Sequence, residues 1–232
     1  MKRLLLAAMV TAAALAGGPS AAAPAKKAVA ARDWTKTVVA TPQGGFRMGN
    51  PAAKVKLVEY GSLTCPHCAD FSGSAAGPLA AMVRSGKLSF EFRNYVLNGA
   101  DVTASLIARC GGPGKFFPTI ERMYAAQPRW LAKLEAMTPA QEKSLQSLSS
   151  AERLARIADM AGLTQIGAAS GIAPQQAKKC LADDAALQRL ADMYEAASAL
   201  GVEGTPTFLI NGTKVHAHDW KELEPLIRKA GG

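Results

Sequence analysis

Strand signals in this chain fall in two widely separated places, so any sheet it forms must be assembled across the gap. Val55-Lys56-Leu57-Val58-Glu59-Tyr60 reads as a strand after the turn at Gly49-Asn50-Pro51. Leu88 to Val96 reads as a second, with Phe90, Phe92 and Tyr95 as packing residues. From about Asn98 to Leu200 the pattern is helical: apolar positions recur at helical spacing over 104–110, 116–126, 151–161, 173–181 and 184–200. Gly111-Gly112-Pro113-Gly114, Pro128, Pro139, Gly162, Gly167 and Gly171 punctuate that block. Strand character returns at Thr207-Phe208-Leu209-Ile210 and Lys214-Val215, joined by Asn211-Gly212, a pair that favours a tight hairpin turn. Asp219 is placed to cap a last helix through Leu223, Leu226 and Ile227. The class is α/β: one mixed sheet interrupted by a helical insertion.

The chain has 232 residues, 49% hydrophobic and 19% charged. That is enough apolar material for a real core, and it excludes intrinsic disorder, collagen-like repeats and a disulfide-dense mini-scaffold. The N-terminus is different in kind. Lys2 and Arg3 precede an apolar run from Leu4 to Ala16, and Gly17-Gly18-Pro19 and small residues follow to Ala25. This is the layout of a secretory signal peptide over 1–25, with Ala23-Pro24-Ala25 as an A-x-A cleavage site and Ala22 or Ala23 as competing positions. The apolar run falls short of the ~20 residues of a membrane span, and no cysteine lies near it to carry a lipid. An uncleaved anchor is the alternative. The expectation is a periplasmic protein without stable membrane insertion, with 26–40 as a flexible lead-in. Losing Lys2 and Arg3 takes the net charge from +9 to +7. The remaining basic residues are scattered, with no arginine-rich run and no aromatic interleaving, so nucleic acid is not an expected partner.

Only 4 cysteines are present, and two stand in Cys65-Pro66-His67-Cys68, between the first strand and the helix that runs towards Arg84. Pro66 suits a helix's first turn, where its missing N–H costs nothing. A thiol at a helix N-terminus faces free backbone N–H groups and the positive end of the dipole, which lowers its pKa. Cys65 is therefore the expected attacking and leaving thiolate, Cys68 the more buried resolving thiol, and His67 a further donor or positive charge. A stabilised thiolate favours the reduced form and makes the disulfide a stronger oxidant. Two other readings stand beside redox exchange. One is half a zinc site, for which Cys110, Cys180, His216 and His218 offer no familiar partner spacing; no metal is expected. The other is a structural disulfide, whose loop is too small to stabilise much.

Gly204-Thr205-Pro206-Thr207 lies just before the late hairpin, and a proline there, directly before an apolar strand, is a candidate cis-proline. With Glu59-Tyr60-Gly61, Cys65-Pro66-His67-Cys68 and Gly204-Thr205-Pro206-Thr207-Phe208 in this order, the sequence resembles the DsbA-like thiol:disulfide oxidoreductases of the thioredoxin fold over about Thr41 to Lys229. The resemblance implies a thioredoxin-like domain over 41–97 and 201–232 with the helical insertion at 98–200. It implies that Cys65 is the exposed nucleophile, Cys68 its buried partner and Pro206 the cis-proline facing them. The Thr205 backbone would pair with substrate, and Glu59 would be the acid beneath the site that moves a proton to and from the buried thiol. Without the family, Glu59 reads as a solvated edge residue. Thr205 departs from the apolar β-branched residue of the best-known oxidase and is familiar in isomerases and reductases of the fold.

Cys110 and Cys180 lie seventy residues apart. In an exported protein they are expected to form a structural disulfide worth roughly 3–4 kcal/mol in the chain-entropy model; two packed free thiols are the alternative. The leading functional expectation is an exported dithiol oxidase for reduced or unfolded exported proteins, needing no cofactor. The resemblance implies a quinone-linked membrane partner for reoxidation. The same site run reductively, as isomerase or reductase, is the second reading. A monomer is expected, because Lys26 to Gln43 is short and lacks heptads. A copper-binding module using Cys65, Cys68 and His67 is the third, since soft thiolates hold Cu(I).

Overall fold

The computed structural model describes residues 32–232. Its sheet is built from β1 (Val38–Ala40), β2 (Phe46–Gly49), β3 (Val55–Gly61), β4 (Leu88–Asn94), β5 (Thr207–Ile210) and β6 (Thr213–Val215), in the order β1-β2-β4-β3-β5-β6. β3 is central: every residue of it except Lys56 is buried, as a strand covered on both faces must be. It runs parallel to β4 and antiparallel to β5, with Glu59 opposite Phe92 on one side and Phe208 on the other. The parallel pair is linked by α1 (Pro66–Arg84), since parallel neighbours need a crossover. Asn211 (φ 51°) and Gly212 (φ 85°) turn β5 into β6 with positive φ at both central residues, the hairpin turn that an Asn-Gly pair favours.

The hairpin of β1 and β2 corrects the expected lead-in. Trp34–Lys36 forms a 3-10 turn capped by Asp33, and β1 begins at Val38; 26–31 and the predicted signal peptide lie outside the described residues. The hairpin is held because β2 pairs with β4, placing Phe46 opposite Phe92 and Met48 opposite Phe90. β4 itself ends at Asn94, short of the expected Val96.

The insertion contains α2 (Gly99–Cys110), α3 (Pro113–Ala125), α4 (Gln127–Glu135), α5 (Pro139–Gln146), α6 (Ser150–Ala161), α7 (Leu163–Ala169), α8 (Pro174–Leu181) and α9 (Asp184–Ala199); α10 (Trp220–Lys229) closes the fold. α2 begins earlier than its apolar stripe because Asn98 accepts from the Asp101 backbone N–H. Pro128 and Pro139 fall in the first turns of α4 and α5, Pro128 as the second residue of α4 and Pro139 as the first of α5, where proline's fixed φ suits the helix. In sequence the insertion interrupts the sheet; in packing it does not. Phe116 of α3 stacks on Phe46 of β2 at 4.2 Å and lies 5.8 Å from Phe92 of β4, so sheet and insertion share one core.

Cys110 at the end of α2 and Cys180 in α8 are joined by a disulfide, Cα to Cα 5.8 Å. It closes a loop with a sequence separation of 70, for which the chain-entropy model gives about 4 kcal/mol. The double variant C110A/C180A is expected to lower Tm by about 8–16 °C, measured by calorimetry against the oxidised parent.

Candidate active site

Cys65 is the N-cap of α1, extended at φ −81° and ψ 120°, and Pro66 is the first helical residue. Cys68 lies one turn on and is fully buried, and the two sulfurs are not bonded to each other. Cys65 is not the exposed thiol that the resemblance implies: it is 7% exposed. The loop before β5 accounts for this. The Thr205–Pro206 peptide is cis, and the Thr205 carbonyl accepts from the Cys65 thiol at 3.2 Å.

The two thiols are pushed in opposite directions. Cys65 is lowered to about 5, chiefly because the Cys68 thiol donates to its sulfur, with burial opposing. The Thr205 hydroxyl and the backbone N–H groups of Cys68 and His67 add to the lowering. The buried Thr205 Oγ1 has no other hydrogen-bond partner. Cys68 is raised well above the ordinary thiol value by burial first, then by its own donation to Cys65 and the charges of Glu59 and Cys65. His67 acts through its backbone; its ring is exposed and makes no hydrogen bond to the described residues.

Glu59 is buried at 3% exposure, not a solvated edge residue, because β5 covers the flank of β3. Burial, and secondarily the Cys65 charge, raise its carboxyl to about 8, and its Oε1 has no partner. It borders a cavity of about 60 Å³ together with Phe71 and Ala75 of α1, Phe92 of β4 and Tyr124 of α3. Most of the lining is apolar, in keeping with burial as the main cause of the raised carboxyl. On the other side of the cis peptide lies a groove of about 300 Å³ bordered by Thr205, Pro206, Lys214, His216 and His218.

The structure thus brings Cys65, Cys68, Thr205 and Pro206 together and places Glu59 beneath them. Cys65, Cys68 and His67 are not gathered as a three-ligand set, and no such set of His, Cys, Asp or Glu occurs among the described residues. Three buried side chains of the insertion, Asp101, Tyr124 and Gln127, also reach the loop before Cys65. Their only sequence signal is polarity within a helical block, which reads as surface.

A family model described as Thioredoxin matches residues 41–229. The chain belongs to the thioredoxin family. Among solved structures, this thioredoxin-family chain is similar to a protein-disulfide isomerase from Novosphingobium aromaticivorans, with 35% identity, 80% of this chain and 97% of that one covered, and a TM-score of 0.74. The fold also matches alpha-DsbA1 of Wolbachia pipientis at a TM-score of 0.65 and 20% identity, covering 83% and 92%. A Rickettsia bellii protein bearing the provisional name protein-disulfide oxidoreductase is 28% identical over 79% of this chain. The chain spans 63% of that relative's length and 59% of its Rickettsia conorii counterpart. The insertion between the two halves of the sheet makes the fold DsbA-like, and among the described residues no helix is long and apolar enough to cross a membrane.

Proposed function

We propose that this protein is an exported thiol:disulfide oxidoreductase that introduces disulfides into reduced exported proteins. The observation that carries this is the dithiol at the start of α1, Cys65 and Cys68 one turn apart, with the Cys65 thiol against the cis Thr205–Pro206 peptide; the opposed acidity of the two thiols accords with it. In the oxidised enzyme a substrate thiolate attacks Cys65 Sγ; a substrate–Cys65 bond forms, the Cys65–Cys68 bond breaks, and its electron pair leaves on Cys68. Cys68 needs a proton, and Glu59, held protonated at neutral pH, is the acid at hand. A second substrate thiolate attacks the substrate sulfur of the mixed disulfide, and Cys65 departs as the better leaving group. The substrate gains a disulfide, Cys65 is left as the thiolate and Cys68 as the thiol, Glu59 regains from water the proton it gave, and the enzyme holds the substrate's two electrons. A membrane quinone-linked oxidase would take them up.

Export rests on the signal-like segment 1–25, and the protein would work as a periplasmic monomer. Substrates would lie along the groove beside Pro206, their backbone pairing with Thr205. The isomerase name of the Novosphingobium protein and the threonine at 205 favour one second reading, disulfide reshuffling by the reduced enzyme at the same site. The test is oxidation of a dithiol peptide by the purified oxidised protein. C65S is expected to abolish it, and C68S, mixed instead with the disulfide form of the peptide, to hold a substrate–Cys65 adduct visible by mass as the Cys65 thiolate displaces one peptide sulfur; full activity in C65S overturns the mechanism. Reshuffling of a scrambled substrate faster than dithiol oxidation would select the second reading.

A further inference from the structure

The loop from Ser62 to Cys65 presents an unusual problem for a connection so short. Ser62 and Leu63 are fully buried, and buried backbone groups must find partners. The loop belongs to neither a strand nor a helix, so it cannot supply them all from within. The partners come from the helical insertion. Asp101 accepts from the Leu63 N–H at 2.9 Å and from the Ser62 hydroxyl at 2.5 Å. The Tyr124 hydroxyl donates to the Ser62 carbonyl at 3.1 Å. Gln127, the first residue of α4, uses one amide nitrogen to donate to both the Leu63 and the Cys65 carbonyls, each at 2.9 Å.

We propose that Gln127 is a positioning residue for the nucleophile, and that the insertion serves the exchange chemistry by clamping the Cys65 peptide through it. This rests on the proposed exchange at Cys65. Gln127 is 3% exposed and touches no substrate-facing atom of the dithiol; its effect runs through backbone. The Cys65 carbonyl also accepts from the Ala69 N–H at 3.2 Å, the bond that starts α1. Gln127 therefore holds the N-cap residue at the point where the helix begins, and with it the direction in which Sγ leaves the backbone. The backbone N–H groups of His67 and Cys68 stabilise the thiolate only while that direction is kept. A side chain with two donated hydrogens is suited to the task, since both carbonyls are acceptors. Glutamate at 127 would instead set a carboxylate against two carbonyls and break the grip on the Cys65 peptide.

The experiment compares Q127E and Q127M with the parent, following the thiolate absorbance of the reduced proteins against pH and their equilibrium with glutathione. Q127E is expected to raise the thiolate midpoint by about one unit, a tenfold loss of thiolate stabilisation, and to shift the glutathione equilibrium tenfold towards the disulfide form. Q127M, uncharged, is expected to shift both in the same direction by less. Thermal unfolding is run alongside, and a residue that only held the fold together would lower Tm and leave the midpoint in place. Unchanged midpoint and equilibrium in whichever variants fold overturn the proposal; should Q127E not fold, Q127M decides. The parent's own peptide oxidation, measured in parallel, tests the exchange reading separately.

Discussion

Iodoacetamide at pH 6 is expected to modify Cys65 of the reduced protein rapidly and to leave Cys68 untouched, as read by peptide mass after quenching. With Cys65 lowered to about 5, roughly nine tenths of it is thiolate at that pH, against about one part in a thousand for an ordinary cysteine. Cys65 keeps 7% of its surface open, whereas Cys68 has none and its thiol is raised, so Cys68 supplies neither access nor charge. Plotted against pH, the modification rate should inflect near 5. T205V should move the inflection upward, because valine fills the space of the Thr205 hydroxyl without a donor for the sulfur. The same shift sets a stability dependence in the reduced protein. A depressed thiol pKa contributes stability that is present above the unfolded value near 9 and is lost as pH falls through about 5. An inflection near 8 or 9 would remove the basis for assigning Cys65 as the leaving thiolate.

Glu59 sets the opposite slope. Its carboxyl is raised from 4.5 to about 8, so the folded state holds a proton that the unfolded chain releases. The stability this group contributes is present below about 4.5 and is lost as pH rises through about 8. The oxidised protein removes the titrations of Cys65 and Cys68 while burial, the main cause, persists; Asp101, raised to about 6 by burial, adds a loss of the same sign, so the share of Glu59 is read as the difference from E59Q. Denaturant unfolding of the oxidised proteins is expected to show the parent losing roughly 4 kcal/mol more stability than E59Q across that window. E59Q should therefore be the more stable protein at pH 8 and the slower enzyme at pH 7, since an amide cannot hand Cys68 its proton. Equal losses in the parent and E59Q would show that the carboxyl is hydrated in the fold.

The dithiol, the cis-proline, the hairpin at Asn211-Gly212 and the Cys110–Cys180 pair were legible from residue type and short spacing. Each of these depends on local chemistry. What escaped depends on distance. Glu59 reads as an edge residue until β5 is laid beside β3, and that pairing joins Glu59 to Phe208. β1 and β2 are too short to signal themselves and owe their order to pairing with β4. Pro128 and Pro139 punctuate a sequence equally well whether they end one helix or open the next. Gln127 and Asp101 are polar residues at helix starts, where solvent is the ordinary partner; only the fold shows that their partner is the loop before Cys65.

The position of β5 also has a consequence in time. The carbonyl that covers Cys65 comes from a residue 140 positions later, and ribosomes add about 5–20 residues per second, so roughly 7–30 s separate the nucleophile from its cover during synthesis. Over that interval one side of β3 has no neighbour, an open edge of the kind that recruits foreign strands. The contacts from Asp101, Tyr124 and Gln127 become available much earlier. The nascent chain therefore acquires the grip on its reactive loop first and the lid last, and any chain stopped before Thr205 would carry an anchored but uncovered cysteine.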